Sequence, residues 1–88
     1  MTLVRPAIVF PCAYPIKVVG VNTLWFKEEV VALVRPHAPE LADEHVTVRR
    51  SRAGTYCSVT ITILATGETQ LGNIHEALKR HPQVKLVL

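Results

Sequence analysis

Three groups of residues in this 88-residue chain carry side chains able to do chemistry. Arg49, Arg50 and Arg52 form its densest charge run, and guanidinium groups hold carboxylates and phosphates better than any other side chain. Gly20-Val21-Asn22 is the second group: a glycine lets backbone approach a small-molecule ligand, and a helix start beyond it offers free amides to a carboxylate. The third comprises His37, His45, His75 and His81 together with Cys12 and Cys57. No two of these histidines share a compact ligand spacing on one element, and no Cys-x-x-Cys accompanies them, which argues against a metal site. No Ser-His-Asp or Cys-His spacing appears either, so no catalytic residue and no cofactor is assigned.

Composition narrows the classes further. An apolar fraction of 49% with 19% charged residues describes one compact domain rather than a disordered chain. A net charge of +3 is well short of the density of a dedicated nucleic-acid binder. That charge is uneven. Residues 1–44 carry four Lys and Arg against five acids, and residues 45–88 carry six against two. The functional reading of the basic second half is a site for an anionic ligand or an acidic partner around the Arg49–Arg52 hairpin. The N-terminal apolar stretch is broken by Pro6, Pro11 and Pro15. It lacks the order of a signal peptide, and no stretch reaches the roughly 20 apolar residues of a membrane span. These features point to a cytoplasmic protein away from membranes, with both thiols reduced.

The elements that must position these groups follow from periodicity. Residues 1–13 read as an N-terminal arm, and 14–88 as the single domain. YPIKVVG (14–20) alternates, with Tyr14, Ile16 and Val18 on one side and Lys17 and Val19 on the other, as a strand does. Asn22 or Thr23 is placed to cap a helix whose apolar stripe is Leu24, Phe26, Val30, Leu33 and Val34, with Glu28 and Glu29 outward and Pro36 ending it. A polar connection, His37–Glu44, leads to a second strand at 45–51, with Val46 and Val48 on one face. Arg52-Ala53-Gly54 reads as a hairpin turn. TYCSVTITILA (55–65) is the strongest strand, with Cys57, Val59, Ile61 and Ile63 facing the core. Thr66 is placed to cap a second helix with stripe Leu71, Ile74, His75 and Leu78, and residues 83–88 form a last strand.

Strand, helix, strand, strand, helix, strand is the order of the ferredoxin-like α+β sandwich, a four-stranded antiparallel sheet with two helices on one face and its first and third strands central. The open face then carries Lys17, Val19, Thr47, Arg49, Ser58, Thr60, Thr62, Lys85 and Val87. RNA-binding sheets stack bases on aromatics of the central strands; here Tyr56 is the only ring on that side and lies near a strand end, which argues against nucleic acid. Acylphosphatases of this fold need a phosphate-cradling arginine in the first loop, which here is Gly20-Val21-Asn22. Antiparallel first and third strands hold Cys12 far from Cys57, and Arg50, in phase with Val46 and Val48, is expected at the core's rim beside an acid.

FPCAYPIKVVG, the His37–Pro39 HAP, SRAGTYCSVTITI, Gln70-Leu71 and the closing HPQVKLVL resemble the small bacterial YbeD-like family, also called DUF493 or UPF0250. The resemblance runs from about Phe10 to Leu88. Its most specific pieces are Ser51-x-x-Gly54-x-Tyr56-x-Ser58-Val59 and the terminal VKLVL. It implies a fold similar to ACT regulatory domains, in which the loop matching Gly20–Asn22 builds a small-molecule site with a neighbouring subunit. It implies no catalytic activity, and its members are often encoded beside lipoate-transfer enzymes. This sequence differs in Gly72 within the second helix and in a longer apolar arm.

The expectation is a non-enzymatic regulatory or interaction module. Its implied partners are a second copy of the chain, a small metabolite or a partner protein. The alternatives are a nucleic-acid-binding module using Arg49–Arg52 and an accessory protein in lipoate metabolism.

Overall fold

A computed structural model of the chain describes residues 9–88; the first eight residues of the expected arm lie outside the described residues. Its elements are β1 (Cys12–Val21), α1 (Phe26–Val34), β2 (Val46–Arg50), β3 (Tyr56–Ala65), α2 (Glu68–Lys79) and β4 (Val84–Val87), with short 3-10 turns at Arg35–His37 and Asp43–His45. The sheet order is β2-β3-β1-β4, and every pairing is antiparallel. This is the ferredoxin-like α+β arrangement. Among the described residues, no helix is long and apolar enough to cross a membrane.

β1 and β3 are both ten residues long and pair along their whole length, from Cys12 opposite Ala65 to Val21 opposite Tyr56. Alternation sends Ile16 and Val18 from β1, and Cys57, Val59, Ile61, Ile63 and Ala65 from β3, to the buried side. There they meet Phe26, Val30, Val31 and Val34 of α1 and Ile74 and Leu78 of α2. The expected polar connection contributes as well: Ala38 and Leu41 are buried in the same cluster.

β1 begins at Cys12, two residues earlier than its alternation suggests. The strand tolerates Pro15 because of which edge the proline faces. Lys17 exchanges both backbone bonds with Leu88 (3.1 and 2.8 Å), so its amide and carbonyl point toward the β4 side. Pro15, two residues back, faces that same edge, where the β4 ladder pairs only Val18 to Gly20. Among the described residues, its missing N–H therefore removes no ladder bond.

Both helix caps differ from expectation. α1 starts at Phe26 with Trp25 at the cap position and no side-chain cap. Thr23 supplies only its carbonyl, to the Phe26 amide at 3.3 Å. Leu24 consequently lies ahead of the first turn, 83% exposed, rather than in the apolar stripe. α2 has Gly67 at the cap position. Thr66 does not cap it; Gln70 Oε1 instead reaches back to accept from the Thr66 amide (2.8 Å) and hydroxyl (3.2 Å). Gln70 Nε2 donates to the His37 carbonyl at 2.7 Å, tying α2 to the end of the first helical segment.

β4 is also corrected. Val18 pairs with Val87 and Val19 with Leu86, but Gly20 pairs with Val84. Two residues of β1 thus oppose three of β4, a bulge with Lys85 as the extra residue. Val87 packs on the core side, and Leu86, opposite Val19, takes the open face that alternation from the strand's start assigns to Val87.

Candidate functional site: the basic end of the open sheet face

The two stretches nominated separately in the sequence meet at one end of the molecule. Asn22 donates its side-chain amide to the Gly54 carbonyl at 2.9 Å and its backbone amide to the Thr55 carbonyl at 3.0 Å. The hairpin is built locally to receive it. The Ser51 amide donates to the Tyr56 carbonyl (2.8 Å), the Tyr56 amide to Ser51 Oγ (3.1 Å) and the Gly54 amide to the Ser51 carbonyl (2.9 Å). Gly54 adopts φ of 75°, the left-handed region that favours glycine.

Gly20 has a different reason for being glycine. A Cβ there would lie 2.3 Å from Phe26 Cζ and 2.5 Å from the Gln83 carbonyl oxygen. The space is filled by core packing: Phe26 seats its ring under β1, and the Gln83 carbonyl accepts from the Val21 amide at 3.0 Å. Val21 continues the β1 ladder opposite Tyr56.

On the open face, three cross-strand rows follow from the registers. Val21 and Tyr56 lead to Ser51; Val19 and Ser58 lead to Arg49; Lys17 and Thr60 lead to Thr47. Lys17, Val19, Arg49, Ser51, Tyr56 and Ser58 line a shallow groove of about 280 Å³, with Arg50 and Cys57 at its wall. Among the described residues, the only contacts within 4.0 Å between a carboxylate and a basic side chain are Glu44–His45, Glu76–Arg80 and Glu29–His81. Lys17 and Arg49 are therefore exposed with no carboxylate partner within 4.0 Å among the described residues. Arg50 lacks the expected acidic neighbour; it stands opposite Cys57 on the other side of the sheet. Burial pushes the Cys57 thiol up, and the Arg50 charge pulls the other way. Arg52 sits exposed in the hairpin turn, outside the groove's lining. The part of the arginine run whose side chain is gathered on the open face is therefore Arg49. Lys17 joins it from 32 residues away, a contribution visible in sequence only as an open-face position.

The other reactive residues are dispersed. Cys12 pairs with Ala65 and Cys57 with Gly20, at opposite ends of the β1–β3 ladder. His81 Nε2 lies 2.9 Å from Glu29 Oε1, its Nδ1 accepts from the Gln83 amide at 3.1 Å, and its ring meets Phe26 edge-on at 6.0 Å. The pair bridges α1 to the start of β4, a structural link for which the outward-facing Glu29 gives no sequence signal. His75 borders an apolar hollow with Tyr14, Ile16, Leu71, Gly72 and Leu88. Among the described residues, no three His, Cys, Asp or Glu side chains converge on one point.

Comparison with known proteins adds the lineage. The chain is 42% identical over 79 residues to UPF0250 protein NE1487 of Nitrosomonas europaea, covering 90% of this chain and 91% of that one. A UPF0250 protein of Chromobacterium violaceum is also 42% identical over 79 residues, covering 90% and 89%. The solution structure of protein HP0495 from H. pylori superposes with a TM-score of 0.73 over 96% of this chain and 88% of that one, at 15% identity, which is a likeness of fold. The family model described as protein of unknown function (DUF493) matches residues 5–88, and on that match and these relatives the chain belongs to the DUF493 (UPF0250) family.

Proposed function

We propose that this protein is a non-enzymatic cytoplasmic binding module that holds an anionic ligand or acidic partner on the basic end of its open sheet face. One observation carries the reading: Lys17 and Arg49 flank a single groove and neither is paired with a carboxylate among the described residues. Uncompensated cations on one surface raise the local concentration of anions and speed their encounter. The groove's titratable side chains are lysine, arginine, a phenol and a buried thiol. No nucleophile–base pair is among them, which supports binding rather than catalysis. Like charges would oppose packing this face on a second copy of itself, so the favoured partner is acidic.

Heparin chromatography tests the reading. K17E/R49E should elute at clearly lower salt than K79E/R80E, which removes the same charge from the exposed end of α2. Equal elution of the two variants would mean general basicity alone and would overturn it.

A further inference from the structure

Resting on that anion-binding reading, we infer that the groove takes a phosphomonoester carried on a flat or apolar scaffold. The anion's seat is defined by the register. Ser58 and Thr60 follow each other on the open face of the central strand β3, with Arg49 beside Ser58 on β2 and Lys17 beside Thr60 on β1. Neighbouring strands lie about 4.8 Å apart, so the two cations flank a hydroxyl floor, Arg49 level with Ser58 and Lys17 level with Thr60. The guanidinium supplies a planar fork, the ammonium a point charge and the hydroxyls neutral donors. A phosphoryl group has three terminal oxygens to receive them. Two unpaired cations match its double charge, whereas a carboxylate leaves one cation unmatched.

The surroundings define the scaffold. Tyr56, 47% exposed, closes one end of the groove. Ser51 Oγ accepts from the Tyr56 amide, so the Ser51 hydroxyl hydrogen remains free to donate. On the β4 side, Val19 and its partner Leu86 form an apolar margin, and Leu86 is 49% exposed. A flat or apolar group attached to the phosphate lies along Tyr56 and Val19 while the phosphate sits over Ser58.

Amide NMR titration of the full chain with phenyl phosphate and phenyl sulfate, which share a shape and differ in charge, tests the inference. Phenyl phosphate should shift the amides of Lys17, Arg49, Ser51, Tyr56 and Ser58. It should bind several-fold tighter than phenyl sulfate and than inorganic phosphate. K17Q or R49Q should weaken it about tenfold, and Y56A should erase its advantage over inorganic phosphate. A short phosphotyrosyl peptide carries the same aryl phosphate; tighter binding than phenyl phosphate identifies a protein chain as the source, and equal or weaker binding a free small molecule. If phenyl phosphate leaves these amides unmoved, or shifts Lys79 and Arg80 equally, the inference is overturned. It fails alone if heparin retention still depends on Lys17 and Arg49, and together with the broader reading if it does not.

Discussion

The side-chain amide of Asn22 donates to the carbonyl of Gly54, 2.9 Å away across 32 residues of sequence. With the Asn22 backbone bond to Thr55, it clamps the first loop onto the hairpin that presents Arg49 and Tyr56. N22A should therefore lower stability by about 1 kcal/mol, a fall in Tm of roughly 4–8 °C. Hairpin amides should also exchange faster with solvent. A wild-type urea midpoint and unchanged exchange would show that the clamp contributes nothing.

Two glycines should respond in opposite directions. G20A drives a methyl into the Phe26 ring and the Gln83 carbonyl, and overpacking of this kind costs about 2–3 kcal/mol. Gly72 lies exposed in α2 with nothing within 4 Å of an added Cβ. G72A should stabilise the protein by up to about 1 kcal/mol. Urea unfolding of both variants reads the two signs directly, and a neutral G20A would contradict the packing described for Phe26.

His81 should matter more than its partner Glu29. H81A removes the acceptor for the Gln83 amide, the edge contact with Phe26 and the bond to Glu29 together. E29A removes only the last, at a half-exposed carboxylate. We expect a loss of about 1–2 kcal/mol for H81A and under about 1 kcal/mol for E29A. Equal losses in denaturant titrations would show that the bond to Glu29 is the whole of the link.

Cys57 makes stability fall at alkaline pH. Its thiol is raised in the folded protein, first by burial and against the opposing pull of Arg50. Above the ordinary thiol value of about 8.5, the unfolded chain loses this proton while the folded chain keeps it. The unfolded state then binds fewer protons, and stability decreases as pH rises. C57V should flatten the decline above about pH 8.5 relative to wild type, and a parallel decline in both would contradict the assignment. In native protein a thiol reagent should modify the partly exposed Cys12 quickly and the buried Cys57 slowly.

Most of the architecture was legible in local pattern. The β-branched alternation of Cys57, Val59, Ile61 and Ile63 identifies both β3 and its buried face, because side-chain direction along a strand has a period of two whatever the strand pairs with. α1 and α2 follow from helical spacing, and Pro36 marks the first helix's end. The caps were less legible: Asn22, Thr23 and Thr66 all suit the role, but competing hydrogen bonds to Gly54 and Gln70 take Asn22 and Thr66 elsewhere.

The chain's own sequence determined the order of elements, the core faces of β1 and β3, and the concentration of positive charge in the second half. These depend on periodicity and composition, which are local. Only the tertiary structure decided that Lys17 stands across β3 from Arg49, that Asn22 meets Gly54, and that Leu86 rather than Val87 takes the open face beside Val19. Each depends on the register between strands distant in sequence. One bulged residue at Lys85 exchanges the faces taken by Leu86 and Val87, a shift that the alternation of a four-residue strand cannot reveal.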